Sequence, residues 1–304
     1  MDALLVYHKR RERHNRAGAL TLRQAQGKLL RQLRIDTPSR TPYNRSERAI
    51  SFPMMHASEF MSTITSLVRR AMHAVLPVEC TACGVALTDD PVPFFCRTCW
   101  AEVRPLTGPS CPRCGLPFAS DVALTYSPDH LCLSCRLHPP AFTRAWAWYA
   151  YEQPLQQAIH LFKYRGKIVL ARTLGALWRE AWRDPPDVDL LMPVPLHPSR
   201  LREREYNQSL LLADELNRRL RLPLAYDTLV RTRPTPPQTE LSRKARLKNL
   251  RRCFAVRRPS DVAGKRVLLI DDVMTTGATV HECAKTLRKA GAADVYVGVL
   301  ARTT

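Results

Sequence analysis

Nothing in the sequence approaches the run of about 18 apolar residues that a membrane-spanning helix requires, so no such span is expected. An apolar leader is also missing. Met1–Leu5 passes at once into YHKRRERHNR, so no secretory signal is visible and a cytoplasmic location is expected. Acidic residues are scarce: 27 Asp and Glu stand against 47 Lys and Arg, a net charge of +20. That balance favours an anionic partner, whether nucleic acid, phosphates or an acidic membrane face; an arginine-rich composition alone would give the same total.

Residues 1 to about 60 lack any persistent helical or alternating period. DTPSRTPYNRSER (Asp36 to Arg48) has linker composition. This region is expected to be a disordered basic tail, or a stretch ahead of a true start at Met54, Met55 or Met61. A basic arm that contacts nucleic acid is the functional alternative. Residues 61–138 combine a short helix, SLVRRAMHAVLP, with a cysteine segment too short and polar to build a core alone. From Phe142 the pattern changes. RAWAWYAYE, VDLLMPVPL, KRVLLI and DVYVGVLAR have strand character. PLQQAIHLFKYRG, IVLARTLGALWREAW and NQSLLLADELNRRL have helical spacing, the last with Leu210, Ala213, Leu216 and Leu220 on one side. Alternating strands and helices predict an α/β domain over 142–304 with a mostly parallel sheet flanked by helices.

Eight of the ten cysteines fall in four CxxC pairs: Cys80/Cys83, Cys96/Cys99, Cys111/Cys114 and Cys132/Cys135. In a chain without a secretory signal this spacing argues for metal rather than disulfides. Two thiolates three residues apart can hold one tetrahedral ion, so eight ligands make two closed, structural sites of four cysteines each. Softness and geometry favour zinc over an iron–sulfur cluster. Sequential pairing makes each half a self-contained ribbon and is preferred to a cross-brace. Arg97, Arg113 and Arg136 in the ribbon loops are candidate DNA contacts or solvated surface residues. Cys253 and Cys283 are expected to be small buried hydrophobes.

VLLIDDVMTTGAT (Val267 to Thr279) places two carboxylates where a buried strand ends. Ligands of open α/β sheets bind beyond that end. Asp271 and Asp272 can accept hydrogen bonds from the vicinal hydroxyls of a ribose. Thr275, Thr276 and Thr279 can donate to phosphate oxygens, helped by converging backbone N–H groups and a helix N-terminus. Mg2+ ligation, a phosphorylation site and a plain turn are the other uses of such an acid pair. From Arg200 to Arg258, sixteen Lys and Arg face six Asp and Glu, an excess that suits an anion.

The thirteen-residue stretch resembles the phosphoribosyl-pyrophosphate (PRPP) signature of type I phosphoribosyltransferases. That resemblance implies that Asp271 and Asp272 bind the ribose 2′ and 3′ hydroxyls and act in any catalysis. It also implies that the loop Val273, Met274, Thr275, Thr276, Gly277, Ala278 and Thr279 wraps the 5-phosphate. PVPLHPSRLREREYNQS resembles the pyrophosphate loop, with Arg200 and Arg204 as its cations. RTRPTPPQTELSRKARLKN resembles a hood that closes over PRPP, with Gln238, Arg246 and Lys248 as candidates. Together with the cysteine segment and FKYRGK, these motifs resemble the ComF family of competence-associated proteins over about residues 70 to 302. One departure is Glu205, where the family usually has Gly; glycine there would permit positive φ. The resemblance implies PRPP or a related sugar phosphate with Mg2+ as ligand. It also implies a role in DNA uptake and transformation through single-stranded DNA. Tyr164 and Tyr206, near the basic region, can stack on bases, although core packing is the more common fate of such rings. Two alternatives stay open. One is an active phosphoribosyltransferase that displaces pyrophosphate from PRPP. The other is a non-catalytic scaffold whose ribbons dock a helicase-type DNA-translocation partner.

Overall fold

The computed structural model of the chain describes residues 78–182, 184–234 and 249–304. The basic segment, the helix expected from Ser62 and the hood residues Gln238, Arg246 and Lys248 lie outside these. The chain divides into two units, Met1–Pro77 and Val78–Thr304; the second carries the ribbons and the α/β domain together. Among the described residues no helix is long and apolar enough to cross a membrane.

The strands are β1 (Arg144–Ala150), β2 (Leu190–Pro193), β3 (Leu229–Arg231), β4 (Phe254–Val256), β5 (Arg266–Met274) and β6 (Asp294–Arg302). Strands β1, β6, β5 and β2 form one sheet in that order, and every pairing is parallel. Leu191 continues the sheet beyond β2: its N–H donates to Pro223 O and its carbonyl accepts from Ala225 N, each at 2.9 Å. Strands β3 and β4 are a separate antiparallel pair. Val267–Ile270 are all fully buried, because β5 is central and covered on both faces; a continuous apolar run is the signature of that position.

The helices are α1 (Arg97–Ala101), α2 (Val122–Tyr126), α3 (Leu133–Leu137), α4 (Leu155–Tyr164), α5 (Leu170–Ala181), α6 (Pro198–Arg204), α7 (Gln208–Leu220) and α8 (Ala278–Lys289). The face expected on α7 is buried at Leu210, Ala213 and Leu216 and half-buried at Leu220.

Two boundaries differ from the sequence expectation. Strand β5 runs on through Met274, since β6 extends equally far and pairs Asp271 with Val299 and Met274 with Arg302. Helix α8, which the sequence pattern starts at Thr279, begins one residue earlier, at Ala278, behind Gly277 in the left-handed region at φ 74°. A side chain there would be strained, which explains a glycine in this turn.

The ribbons cover the open edge of β1. Leu106 N donates to Trp148 O (2.7 Å) and Ala150 N to Arg104 O (3.0 Å) on the first-ribbon side. On the second, Ala145 N donates to Arg113 O at 2.9 Å. Gly115 makes that approach possible: a Cβ there would lie 3.0 Å from Ala145 O. An exposed parallel edge is a template for unwanted pairing, and the ribbon segment closes it.

Candidate functional site

The cysteines converge as two tetrads in sequential order: Cys80, Cys83, Cys96 and Cys99, then Cys111, Cys114, Cys132 and Cys135. Within each, the sulfur atoms lie within 4.8 Å of one another. The same knuckle opens both. Gly84 N donates to Cys80 O, and Gly115 N to Cys111 O, each at 2.8 Å. Backbone N–H groups also point at sulfur: Cys96 to Cys80 (3.3 Å) and Cys132 to Cys111 (3.4 Å). Such donors stabilise thiolates, so both tetrads fit a tetrahedral ion. The second ribbon has almost no other core: Cys111, Cys132 and Cys135 are its buried centre, with Leu116, Phe118 and Leu131 packed around them.

Beyond the carboxyl ends of β2 and β5 lies a cleft of about 310 Å³. Asp271, Asp272, Val273, Thr275 and Thr279 line it from the β5–α8 segment, and Arg200 and Arg204 from α6. Met274 and Ala278 are buried behind the loop, and Thr276 and Gly277 face its other side. The acids are deeply set, Asp271 9% and Asp272 3% exposed. Ser209 Oγ donates to Asp271 Oδ1 at 2.9 Å. Lys163 Nζ sits 2.8 Å from Asp272 Oδ1, while Asp272 Oδ2 is buried without a hydrogen-bond partner among the described residues. Burial, then the neighbouring Asp272 charge, pushes the Asp271 carboxyl up to about 7; Lys163 and the Ser209 hydroxyl pull the other way. Arg200 is held by Glu203 at 2.8 Å, and Arg204 donates to Gln208 Oε1 (3.2 Å) with its guanidinium 4.6 Å from the Tyr164 ring centre.

Two family models match, the double zinc ribbon domain over residues 71–137 and the phosphoribosyl transferase domain over 207–303. Competence protein F of Haemophilus influenzae is 33% identical over 215 residues, 68% of this chain and 90% of that protein. The chain belongs to the ComF family. DNA utilization protein YhgH of Escherichia coli K12 is 36% identical over 202 residues, covering 64% of this chain and 84% of that protein. Competence protein ComFC of Bacillus subtilis is 28% identical over 206 residues, covering 65% and 79%. The parallel sheet, the tetrads and the matched domains give this ComF chain a type I phosphoribosyltransferase fold behind a double zinc ribbon.

The structure of the ComF chain decides between several sequence expectations. Glu205, where the family usually has Gly, ends α6 at φ 65°, so the loop keeps the left-handed turn despite its side chain. Tyr206 is a core residue: its hydroxyl donates to Phe162 O and its ring packs on Phe162, which removes it from any base-stacking surface. Tyr164 is 53% exposed, but Arg204 already lies over its ring. Arg113 is tied to Pro140 O at 3.2 Å and braces the second ribbon, whereas Arg97 and Arg136 are exposed. Cys253 and Cys283 are buried, as small hydrophobes should be.

Lys163, Ser209 and Arg231 are among the cleft residues that the sequence reading did not single out. Lys163 lies in FKYRGK, a motif visible in the sequence, at the last turn of α4. Ser209 follows the cap residue Asn207, whose Oδ1 accepts from Ser209 N at 3.0 Å. Neither signal names the acid that each residue meets.

Proposed function

We propose that the cleft binds PRPP, or a sugar phosphate of the same outline, together with Mg2+. We further propose that the chain serves DNA uptake by holding single-stranded DNA through the same sugar-phosphate contacts. The observation that carries this reading is the opposition, within one cleft, of a buried acid pair and the cations Lys163, Arg200 and Arg204. Ribose hydroxyls donate to carboxylates, and Asp272 Oδ2 is a buried acceptor that lacks a donor among the described residues. Phosphate suits the N-terminus of α8 with its threonines, and pyrophosphate suits the α6 arginines.

Mg2+ binds through one or two carboxylates plus substrate phosphates, a donor set that Asp271, Asp272 and a bound pyrophosphate would supply. When bound, it would neutralise phosphate charge. Two zinc ions would staple the ribbons. The same cleft fits a second reading, displacement of pyrophosphate from C1 of PRPP by a nitrogen nucleophile. Arg200 and Arg204, which would neutralise the leaving group, line it.

A labelled single-stranded oligonucleotide tests the shared site. Its affinity is expected to fall at least about tenfold between 50 and 200 mM salt as phosphate counterions are released. Saturating PRPP with Mg2+ is expected to displace it. Salt-insensitive binding, or full retention of the oligonucleotide under PRPP, would count against one site for both.

A further inference from the structure

A second cleft, of about 290 Å³, lies between the phosphate loop and the second ribbon. We infer that it is a nucleoside subsite for single-stranded nucleic acid, taking the nucleoside esterified to the far side of the phosphate that the loop holds. The inference rests on the sugar-phosphate reading above and extends it.

Position supports it first. Thr275 lines both clefts, so one loop separates them. A phosphate monoester such as the 5-phosphate of PRPP ends at the loop. A phosphodiester does not: its second ester oxygen carries another nucleoside, which needs an outlet on the loop's other face. The second cleft provides that outlet.

The chemistry of the walls agrees. They are mainly apolar, with Leu116, Phe142 and Met274 among them, and a few polar groups converge there, including Ser134, His138 and Arg302. An apolar pocket with a few placed polar groups is the usual form of a site for a flat heterocycle. The volume sits at the low end of ligand pockets, which suits one nucleoside and not a longer stretch. Arg302 is fixed by donating to Cys114 O and Thr303 O, which sets a cation beside the loop to balance a phosphodiester.

The cleft is also preorganised. The wall opposite the loop is pinned to the α/β domain: Ala141 N donates to His281 Nδ1 at 3.1 Å, and Arg113 O accepts from Ala145 N. A cleft between braced walls needs little ordering on binding.

The test compares PRPP, a deoxynucleoside 5′-monophosphate and a dinucleoside monophosphate on the full chain by calorimetry. The dinucleotide is expected to bind about tenfold tighter than the mononucleotide, the gain from burying one further base. Ser134→Trp, which fills the cleft, and His138→Ala, which removes part of its wall, are each expected to abolish that gain. PRPP affinity should stay within about twofold, which also certifies the fold. A wild-type dinucleotide no tighter than the mononucleotide overturns the subsite while leaving the PRPP reading intact. Retention of the gain in both variants, or equal losses for PRPP and dinucleotide, also overturns it. Absence of PRPP and mononucleotide binding alike overturns the underlying reading and the subsite with it.

Discussion

Replacing Lys163 with methionine is expected to weaken PRPP binding at pH 7.5 by at least about tenfold and to cost about 3 kcal/mol of folding stability. Lys163 and Asp272 are both largely buried, their side chains 16% and 4% exposed and 2.8 Å apart. Removing the ammonium leaves a carboxylate in a poorly solvated site beside a second carboxylate. The pair then holds a proton more tightly. In the intact protein Asp271 already stands at about 7, raised from 3.8 first by burial and then by Asp272, with Lys163 opposing both. The sign for binding follows from the chemistry: ribose hydroxyls donate, so the ionised acid is the better partner. Wild-type affinity is therefore expected to fall as pH drops through about 7, and the fall in Lys163→Met should begin at higher pH. The sign for stability is opposite. An acid whose folded value is raised destabilises the fold as pH climbs from its unfolded value of 3.8 to about 7, and the cost is complete above that. Calorimetry from pH 6 to 9 and urea unfolding read both effects. An unchanged pH midpoint in Lys163→Met would remove Lys163 from the account, and Lys163→Arg should restore most of the affinity.

The second large effect concerns the ribbons, which should not be equivalent. Cys132→Ser is expected to reduce bound zinc from two ions per chain to one, lower the melting temperature by roughly 10 °C and weaken PRPP binding at least about tenfold. Cys83→Ser should also remove one ion, yet leave PRPP affinity within about twofold. The difference follows from where each tetrad leans. The second ribbon reaches the phosphate loop through Arg302, which donates to Cys114 O and pairs in β6 with Met274 of β5. The segment after the first tetrad pairs Arg104 and Leu106 with Ala150 and Trp148 of β1, and no cysteine of that tetrad lines the cleft beside the phosphate loop, whereas Cys114, Cys132 and Cys135 do. Zinc analysis beside calorimetry on both variants checks the pair. Equal loss of PRPP affinity in the two would show that the ribbons act only through global stability.

Much of this was legible in the residues because the signals are local. CxxC spacing marks the ligands, and sequential tetrads follow when each ribbon closes on itself. The apolar run Val267–Ile270 marks a central strand, and the acids and threonines behind it mark the segment that lines the cleft. A glycine at position 205 would permit positive φ, and Glu205 adopts it all the same. What stayed hidden depends on strands and helices meeting across the sequence. That Lys163 opposes Asp272 follows only once α4 ends above β5. That Asp271 and Asp272 remain in the ladder depends on the length of β6. Arg113 looked like a surface group, and Tyr206 could be placed either in the core or on a stacking surface, because their partners, Pro140 O and Phe162 O, are backbone atoms of distant segments. Sequence composition carries no trace of such carbonyls.

The central claim is that the buried acid pair clamps a ribose whose phosphate lies on the following loop. Titration of PRPP with Mg2+ into the full chain by calorimetry tests it most directly, with Asp271→Asn/Asp272→Asn as the comparison. The account predicts saturable binding of PRPP by the wild type and a loss of at least about a hundredfold in the double variant, as two charge-assisted hydrogen-bond sites disappear. Binding of equal strength by both proteins, or none by the wild type, would contradict it.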